Sequence, residues 1–253
     1  VDCVFAIASY NRPDKQYCAQ WLNRIGVPKE RIFIQTQTEE DFRTYSSKYG
    51  NIANIGFSPA SNVSENKNNL LDRVGDRNIV VCSDNVRTLL FLCSDGKLAE
   101  VDNIESLEFF IRRGFESLEK YDALMFGVYP SANGFFMKRS ATIDTWLLGC
   151  FMGIKKGAAR GLRFNEKYPL KEDYEISARA ITGGAHTVRF NDVTVKKTCR
   201  TKGGSYELWK TAGDEVNHVC AENLLASYPD FFRAHRTRKN EVELVKKART
   251  FKI

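Results

Sequence analysis

Long apolar runs are missing from this chain. No stretch approaches the ~18 consecutive apolar residues of a spanning helix, so no membrane partner is expected. The apolar run Val4–Ala8 is too short for the core of a secretory signal and has no basic lead-in, so no leader is expected there. Proline is scarce, six in 253 residues, while aromatics reach 12%; a disordered tail shows the reverse balance. The three histidines, His186, His218 and His235, are too widely spaced to suggest a metal triad, and surface or satisfied core positions are their default. Seven cysteines, an odd number with no CxxC pair, argue for free thiols in a reducing compartment and against a zinc knuckle. On that reading the sequon Asn62-Val63-Ser64 has no role.

Charge is present but uneven. From Lys196 onward 13 Lys and Arg face 7 Asp and Glu, against 25 and 24 before it. A neutral body with a basic last quarter fits a phosphate-rich partner, or simply a solvated basic face. The length and the 43% hydrophobic content suffice for one large domain or two small ones.

The front of the chain alternates between two periods. Residues 3–10 form an apolar run ending in a turn, which predicts a buried strand. Asn11-Arg12-Pro13-Asp14 breaks it, with Asp14 placed to cap a helix carrying Tyr17, Cys18, Trp21, Leu22 and Ile25. A strand over 31–35, a helix over 39–49, a strand over 51–57, a helix over 62–74 and a strand over 78–82 follow. Strands alternating with helices imply right-handed crossovers and a mostly parallel sheet, so the expected fold class is α/β. Beyond residue 87 the pattern is mixed. Stretches 88–93 and 97–101 flank Ser94-Asp95-Gly96 as a hairpin. Asp102 with Glu105 reads as a capping box for a helix carrying Ile104, Leu107, Ile111, Phe115 and Leu118. A strand over 123–128, short aromatic segments at 133–137 and 147–154, a helix over 171–182 and a strand over 187–191 come next. Helices over 214–227 and 240–250 are expected to close the chain.

Four places carry candidate chemistry. Ser9-Tyr10-Asn11-Arg12 leaves the first strand, at the edge where open α/β sheets bind ligands. Ser83-Asp84-Asn85 leaves the fourth strand, where oxygen ligands can hold a divalent cation against a diphosphate. Lys171-Glu172-Asp173-Tyr174 opens a helix; its carboxylates can answer the helix dipole or serve as a general base. Arg200 and Lys202 precede Gly203-Gly204, a basic hinge able to close on a diphosphate. The ordinary reading of each is a turn, a cap or a solvated loop.

In this order the motifs resemble the GT-A glycosyltransferases, most of all the family 2 type. The likeness spans about residues 4–205. It rests on the strand-one Ser-Tyr-Asn-Arg-Pro, the helix with Ser64-Glu65-Asn66-Lys67-Asn68, the strand ending Ser83-Asp84-Asn85, and Glu172-Asp173. Lys67-Asn68 takes the place of the family's Arg-Asn pair. The Lys-Glu-Asp-Tyr helix and Arg189-Phe190-Asn191 followed by Gly203-Gly204 are most similar to the TET-associated enzymes of phages and base-J systems. The resemblance implies a GT-A domain over 1–205, with a nucleotide-sugar half (1–86) and an acceptor half (87–205), then a basic helical segment over 206–253. It implies sugar transfer from a UDP-sugar to a hydroxymethylated cytosine or uracil in double-stranded DNA, in a host cytoplasm if the chain is phage-encoded. Asp173, beside Glu172, is then the expected base. Ser9, Tyr10, Asn11, Arg12, Lys67, Ser83, Asp84 and Asn85 are the expected nucleotide-sugar contacts. Arg200 and Lys202 would meet the diphosphate, and Arg233, Arg236, Arg238 and Lys239 the DNA backbone. Tyr129, Phe135, Phe136, Trp146 and Phe151 offer stacking surfaces. A divalent cation, Mn²⁺ or Mg²⁺, is expected on Asp84 and Asn85, with Ser83 departing from the family's usual first Asp. The alternatives are an acceptor that is a glycan, lipid carrier or protein, and an inactive relative that binds DNA or a nucleotide.

Overall fold

The computed structural model describes residues 2–198, 205–245 and 248–252; the side chains of 205–210 lie outside the description. Strand β1 (Cys3–Ala8) shows why the front half folds as it does. Cys3, Phe5 and Ile7 enter one core cluster, while Val4 and Ala6 enter another with Leu70, Leu71 and Met125. Alternate residues face opposite sides of a strand, so a run apolar at every position is buried on both faces, as a strand in a covered parallel sheet must be.

The elements that follow alternate: α1 (Tyr17–Arg24), β2 (Ile32–Thr36), α2 (Glu39–Tyr49), β3 (Asn54–Phe57), α3 (Val63–Val74) and β4 (Asn78–Ser83). Local chemistry sets the helix starts. The Thr38 side chain accepts from the Asp41 N–H, and three acids fill the first turn of α2. Asn62, the sequon asparagine, caps α3 by accepting from Ser64 and Glu65. Asp14 does not cap α1; it pairs with Lys48 instead.

The second half contains β5 (Val86–Leu92), β6 (Leu98–Glu100), α4 (Ile104–Lys120), β7 (Ala123–Tyr129), β8 (Ser140–Ile143), β9 (Phe151–Ile154), α5 (Glu172–Thr182), β10 (His186–Lys197), α6 (Ser205–Ser227), β11 (Phe232–Ala234), β12 (Val242–Leu244) and β13 (Arg249–Lys252). The central sheet runs β13-β8-β10-β7-β9-β4-β1-β2-β3. Following the pairings, seven of these nine strands point one way, and β8 and β9 run against them. The protein is an α/β fold with a large, mostly parallel sheet, and its second half is mixed, with β5 and β6 added off the main path.

Further local expectations change, and the helix expected from 214 already begins at Ser205. Asn103, not Asp102, caps α4, because its side chain accepts from Ser106 N–H. Strand β10 continues to Lys197: after an irregularity beyond Phe190 it keeps one pairing to β7, Thr194 with Tyr129, and pairs with β5 from Val193. The helix expected over 240–250 does not form. β12 pairs with β11, and β13 pairs with β8 at the sheet edge. Those segments therefore form sheet, and the tail is only partly helical. Among the described residues no helix is long and apolar enough to cross a membrane.

Candidate functional site

The sheet reverses its winding between β1 and β4. The chain travels from β1 to β2 to β3 on one side, then returns to place β4 on the other. Such a switch point leaves a crevice outside the carboxyl ends of the strands, where ligands of open α/β sheets bind. Ser9 leaves β1 here and Asp84 leaves β4, and the two are joined: Ser9 Oγ donates to Asp84 Oδ2 at 2.7 Å. Arg12 Nη1 lies 2.9 Å from Asp84 Oδ1; the Asp84 side chain is buried and that of Arg12 largely so. Ser9 Oγ also accepts from Gln16 Nε2 at 2.6 Å. Its one proton is spent on Asp84, so Tyr45 Oη, 3.0 Å away, donates to it.

Helix α2 holds this loop from outside. Asp41 Oδ2 accepts the Asn11 N–H at 2.8 Å, and Tyr45 Oη accepts the Arg12 N–H at 2.9 Å. Asn11 takes a left-handed backbone, φ 50°, to make that turn. Gln16, Asp41 and Tyr45 were not singled out from sequence. Their spacing of four puts Asp41 and Tyr45 on one helix face, but not against the β1 loop. Burial pushes the Asp84 carboxyl up, against the opposing pull of Arg12. Burial likewise raises the Tyr45 hydroxyl, which stays protonated. The side-chain oxygens of Gln16, Gln35, Asn66 and Asn85 are buried without a hydrogen-bond partner. The Nδ2 of Asn66 reaches toward the Ser9 and Gln35 carbonyls, and Asn85 follows Asp84, so these acceptors gather at the switch point. A buried acceptor left unmet costs about 1–3 kcal/mol, so these four are open to a water or a ligand's donors.

The second group of residues adjoins the first through β9. Ser83 N–H donates to the Cys150 carbonyl, and the preceding Gly149 N–H donates to Asp173 Oδ2 at 2.9 Å. A Cβ on Gly149 would sit 2.8 Å from Asp173 Cβ, so only glycine permits this approach. Helix α5 is entered through Lys171 at φ 63°, and its first residue, Glu172, meets Lys67 Nζ at 2.7 Å. That ammonium also lies over the Phe164 ring. Burial, and then the neighbouring charge of Glu172, push the Asp173 carboxyl up to about 6, against the Gly149 hydrogen bond and Lys67. Cys150 beside it is raised to about 12 by burial and stays a thiol. The pair thus offers one proton acceptor poised near neutrality and one carboxylate held by a lysine.

No family model matches the sequence, and neither does any curated protein. Among solved structures it is similar to CMP:2-keto-3-deoxy-manno-octonic acid synthetase complexed with CTP, at TM-score 0.49 and 8% identity, covering 84% of this chain and 98% of that one. It is also similar to a cytidylyltransferase from Leptospira borgpetersenii serovar Hardjo-bovis, at TM-score 0.43 and 11% identity over 69% of this chain and 68% of that one. A third is a putative glucose-1-phosphate thymidylyltransferase from Bacillus anthracis, at TM-score 0.43 and 11% identity over 92% of this chain and 98% of that one.

Other expected residues are placed differently. Tyr10 is exposed on the loop. Asn68 turns away from the crevice to bond the backbone of Phe164. Asn85 Nδ2 donates to the Thr198 carbonyl. Arg200 and Lys202 lie outside the described residues. Phe151 is core, Trp146 stacks on Tyr174 at 4.5 Å, and the Tyr129 carbonyl is bonded by Thr194, while Phe135 and Phe136 are exposed. Arg233 and Arg236 both pair with Glu243, and Arg238 lies against His235. Lys239 is exposed. His186 meets Asp144, and His218 meets Glu222.

The residues expected to hold a cation do not by themselves make a cation site. Both Asp84 oxygens are engaged, one by a guanidinium and one by a hydroxyl; a hard divalent ion held on one or two carboxylates takes its other oxygen ligands from water and substrate phosphates. No group of three His, Cys, Asp or Glu side chains able to hold a metal occurs among the described residues.

Proposed function

We propose that the protein is a GT-A-type glycosyltransferase that moves a sugar from a UDP-sugar to the hydroxyl of a hydroxymethylated pyrimidine in DNA. The observation that carries the reading is Asp173: a carboxyl raised to about 6, fixed by a backbone N–H, beside the switch-point crevice. The acceptor class is supported by the strand-one, Lys-Glu-Asp-Tyr and Arg-Phe-Asn motifs and by the basic last quarter.

In this reading the nucleoside lies along Ser9–Arg12, with its sugar end toward Asp173. A base with a pKa near 6 is ionised at neutral pH yet still basic enough to take a proton in the transition state. Asp173 removes the acceptor hydroxyl proton as that oxygen attacks the anomeric carbon. The bond from that carbon to the diphosphate breaks, and UDP leaves with the electron pair. Attack opposite the leaving group inverts the anomeric centre. Arg12 and Lys67 supply positive charge on the nucleotide side. A base within duplex DNA must leave the stack to reach the crevice.

The test is incubation with hydroxymethylcytosine and hydroxymethyluracil DNA, a mixture of UDP-sugars and Mn²⁺ or Mg²⁺, then digestion to nucleosides and mass measurement. A hexose or pentose increment on one nucleoside is expected. UDP release only on addition of a glycan, lipid carrier or protein would replace the acceptor. Pyrophosphate release from a nucleoside triphosphate and a sugar phosphate would replace the reaction by nucleotidyl transfer.

A further inference from the structure

A second concave site lies on the flank of the crevice, where α1, β5, β6 and β10 meet. Its volume is about 180 Å³, and Tyr17, Gln20, Trp21, Arg24, Arg87, Glu100 and Lys196 line it. One ordered water needs roughly 15 Å³ on this kind of count, so the space takes a group of several atoms. Nothing in the reaction proposed above uses it.

The placement of its cations follows from the elements. Arg24 is the last residue of α1. Arg87 is the second residue of β5, and Lys196 pairs with Thr88 across the β5–β10 register. Three cations therefore reach one hollow from three elements, with a single carboxylate, Glu100, among them. That carboxylate is already matched, because Lys196 pairs with it. Two arginines are left over.

Arg87 is also held in position before any ligand arrives. Its guanidinium lies 4.3 Å from the centroid of the Tyr17 ring, and its Nε donates to Thr198 Oγ1 at 2.7 Å. The two terminal nitrogens remain, in the planar fork that suits a phosphoryl group. Stacking on tyrosine reduces the side-chain freedom that binding would otherwise cost. Trp21 lies buried against the hollow with its Nε1–H already bonded to the Val101 carbonyl, so it offers a ligand no free donor, and the rim is cationic.

We propose that this hollow is a phosphoryl-binding site, separate from the switch-point crevice, with Arg24 and Arg87 as its anchors. It is better suited to that role than the tail, where Arg233 and Arg236 are paired with Glu243. The ligand is a phosphate group of a nucleic-acid backbone or a free phosphate. Binding there requires neither a sugar donor nor transfer, so the site stands or falls apart from the reaction proposed above.

The test compares the parent with Arg24→Gln, Arg87→Gln and the double variant, using Arg112→Gln, an exposed arginine of α4, as control. Inorganic phosphate binding is measured by calorimetry, and binding of a 20-base-pair unmodified duplex by fluorescence anisotropy over a salt series. Circular dichroism confirms that each variant is folded, and Arg87→Lys, which keeps charge but loses the fork, gives a second reading. If the source is free phosphate, the parent binds inorganic phosphate and either single variant weakens it about tenfold. If the source is a nucleic-acid backbone, the duplex binds, and the double variant flattens its log–log salt slope by about two while Arg112→Gln leaves it near the parent's. Parent protein that binds neither probe, or Arg24 and Arg87 variants that bind as the parent does, would overturn the proposal.

Discussion

Two acidic corners of the crevice are built on opposite principles. At the β1–β4 corner, Asp84 is buried and both its oxygens are taken by side chains, Ser9 and the guanidinium of Arg12. At the β9–α5 corner, Asp173 is part-buried, held by the backbone N–H of Gly149, and crowded by the charge of Glu172. Burial raises both carboxyls. A buried acid with its own cation anchors a loop, because neither partner can be removed without stranding the other's charge. An acid beside another acid keeps its proton to higher pH and can trade it near neutrality. The first corner is therefore the rigid one, and the second is the one able to do proton chemistry.

Removing each acid should separate these roles. The largest structural loss is expected for Asp84→Ala, which removes the ion pair between the β1 loop and β4 and leaves Ser9 without its acceptor. Such cuts cost about 3–5 kcal/mol, equivalent to roughly 10 °C in Tm for a chain of this size, readable by calorimetry. A Tm within about 2 °C of the parent would mean that the ion pair does not anchor the loop. Asp173→Asn should do the reverse. Transfer falls by about 10²–10⁴-fold, the range for a lost general base, with UDP binding retained. The variant should be at least as stable as the parent at pH 8. The sign follows from the raised carboxyl: between about pH 4 and 6 the folded protein holds more protons than the unfolded chain, so stability from this group falls as pH rises, and an uncharged Asn escapes that loss. Near-normal turnover in this variant would end the assignment of Asp173 as base.

Glu172→Gln should have the smallest effect and be the sharpest probe of the pair. In the parent, kcat/KM should rise with pH through a midpoint near 6, as Asp173 ionises. Deleting the neighbouring negative charge, and freeing Lys67 to act on Asp173, should move that midpoint down. A midpoint that stays in place would show that burial alone raises Asp173.

Much of the front half was legible in the sequence, and for identifiable reasons. β1 is apolar at successive positions because both faces are covered. α2 and α3 were legible as helices from their positions between the strands, although their caps, Thr38 and Asn62, appear only in the structure. Ser9, Arg12 and Asp84 were legible as site candidates because the carboxyl ends of strands in an α/β alternation point to one edge. The partners that organise them were not. Tyr45 and Asp41 lie on α2, and nothing local says that this helix will lean over the β1 loop. Gly149 carried no motif at all, yet it sets the approach to Asp173.

The tail shows the opposite case. Residues 240–250 carry no strong turn to stop a helix, but Val242 and Leu244 are taken into a pairing with β11 that sets Glu243 opposite Arg233. Ten residues separate that ion pair in the chain, so counting charges along the sequence left Arg233 as an open cation. The same blindness hid the hollow between α1 and β5, whose arginines are 63 positions apart in number and meet only because the two elements pack.

The amino-acid sequence by itself determined the α/β class, the order of strands and helices in the front half and the residues at the carboxyl ends of β1 and β4. Those follow from period and burial, both of which act over a few residues. Only the tertiary structure decided which charges meet: Arg12 with Asp84, Lys67 with Glu172, Arg233 with Glu243, and Arg24 and Arg87 in one hollow. Electrostatic and hydrogen-bond energies depend on separations of a few ångströms and on burial, and neither quantity exists until distant segments have packed.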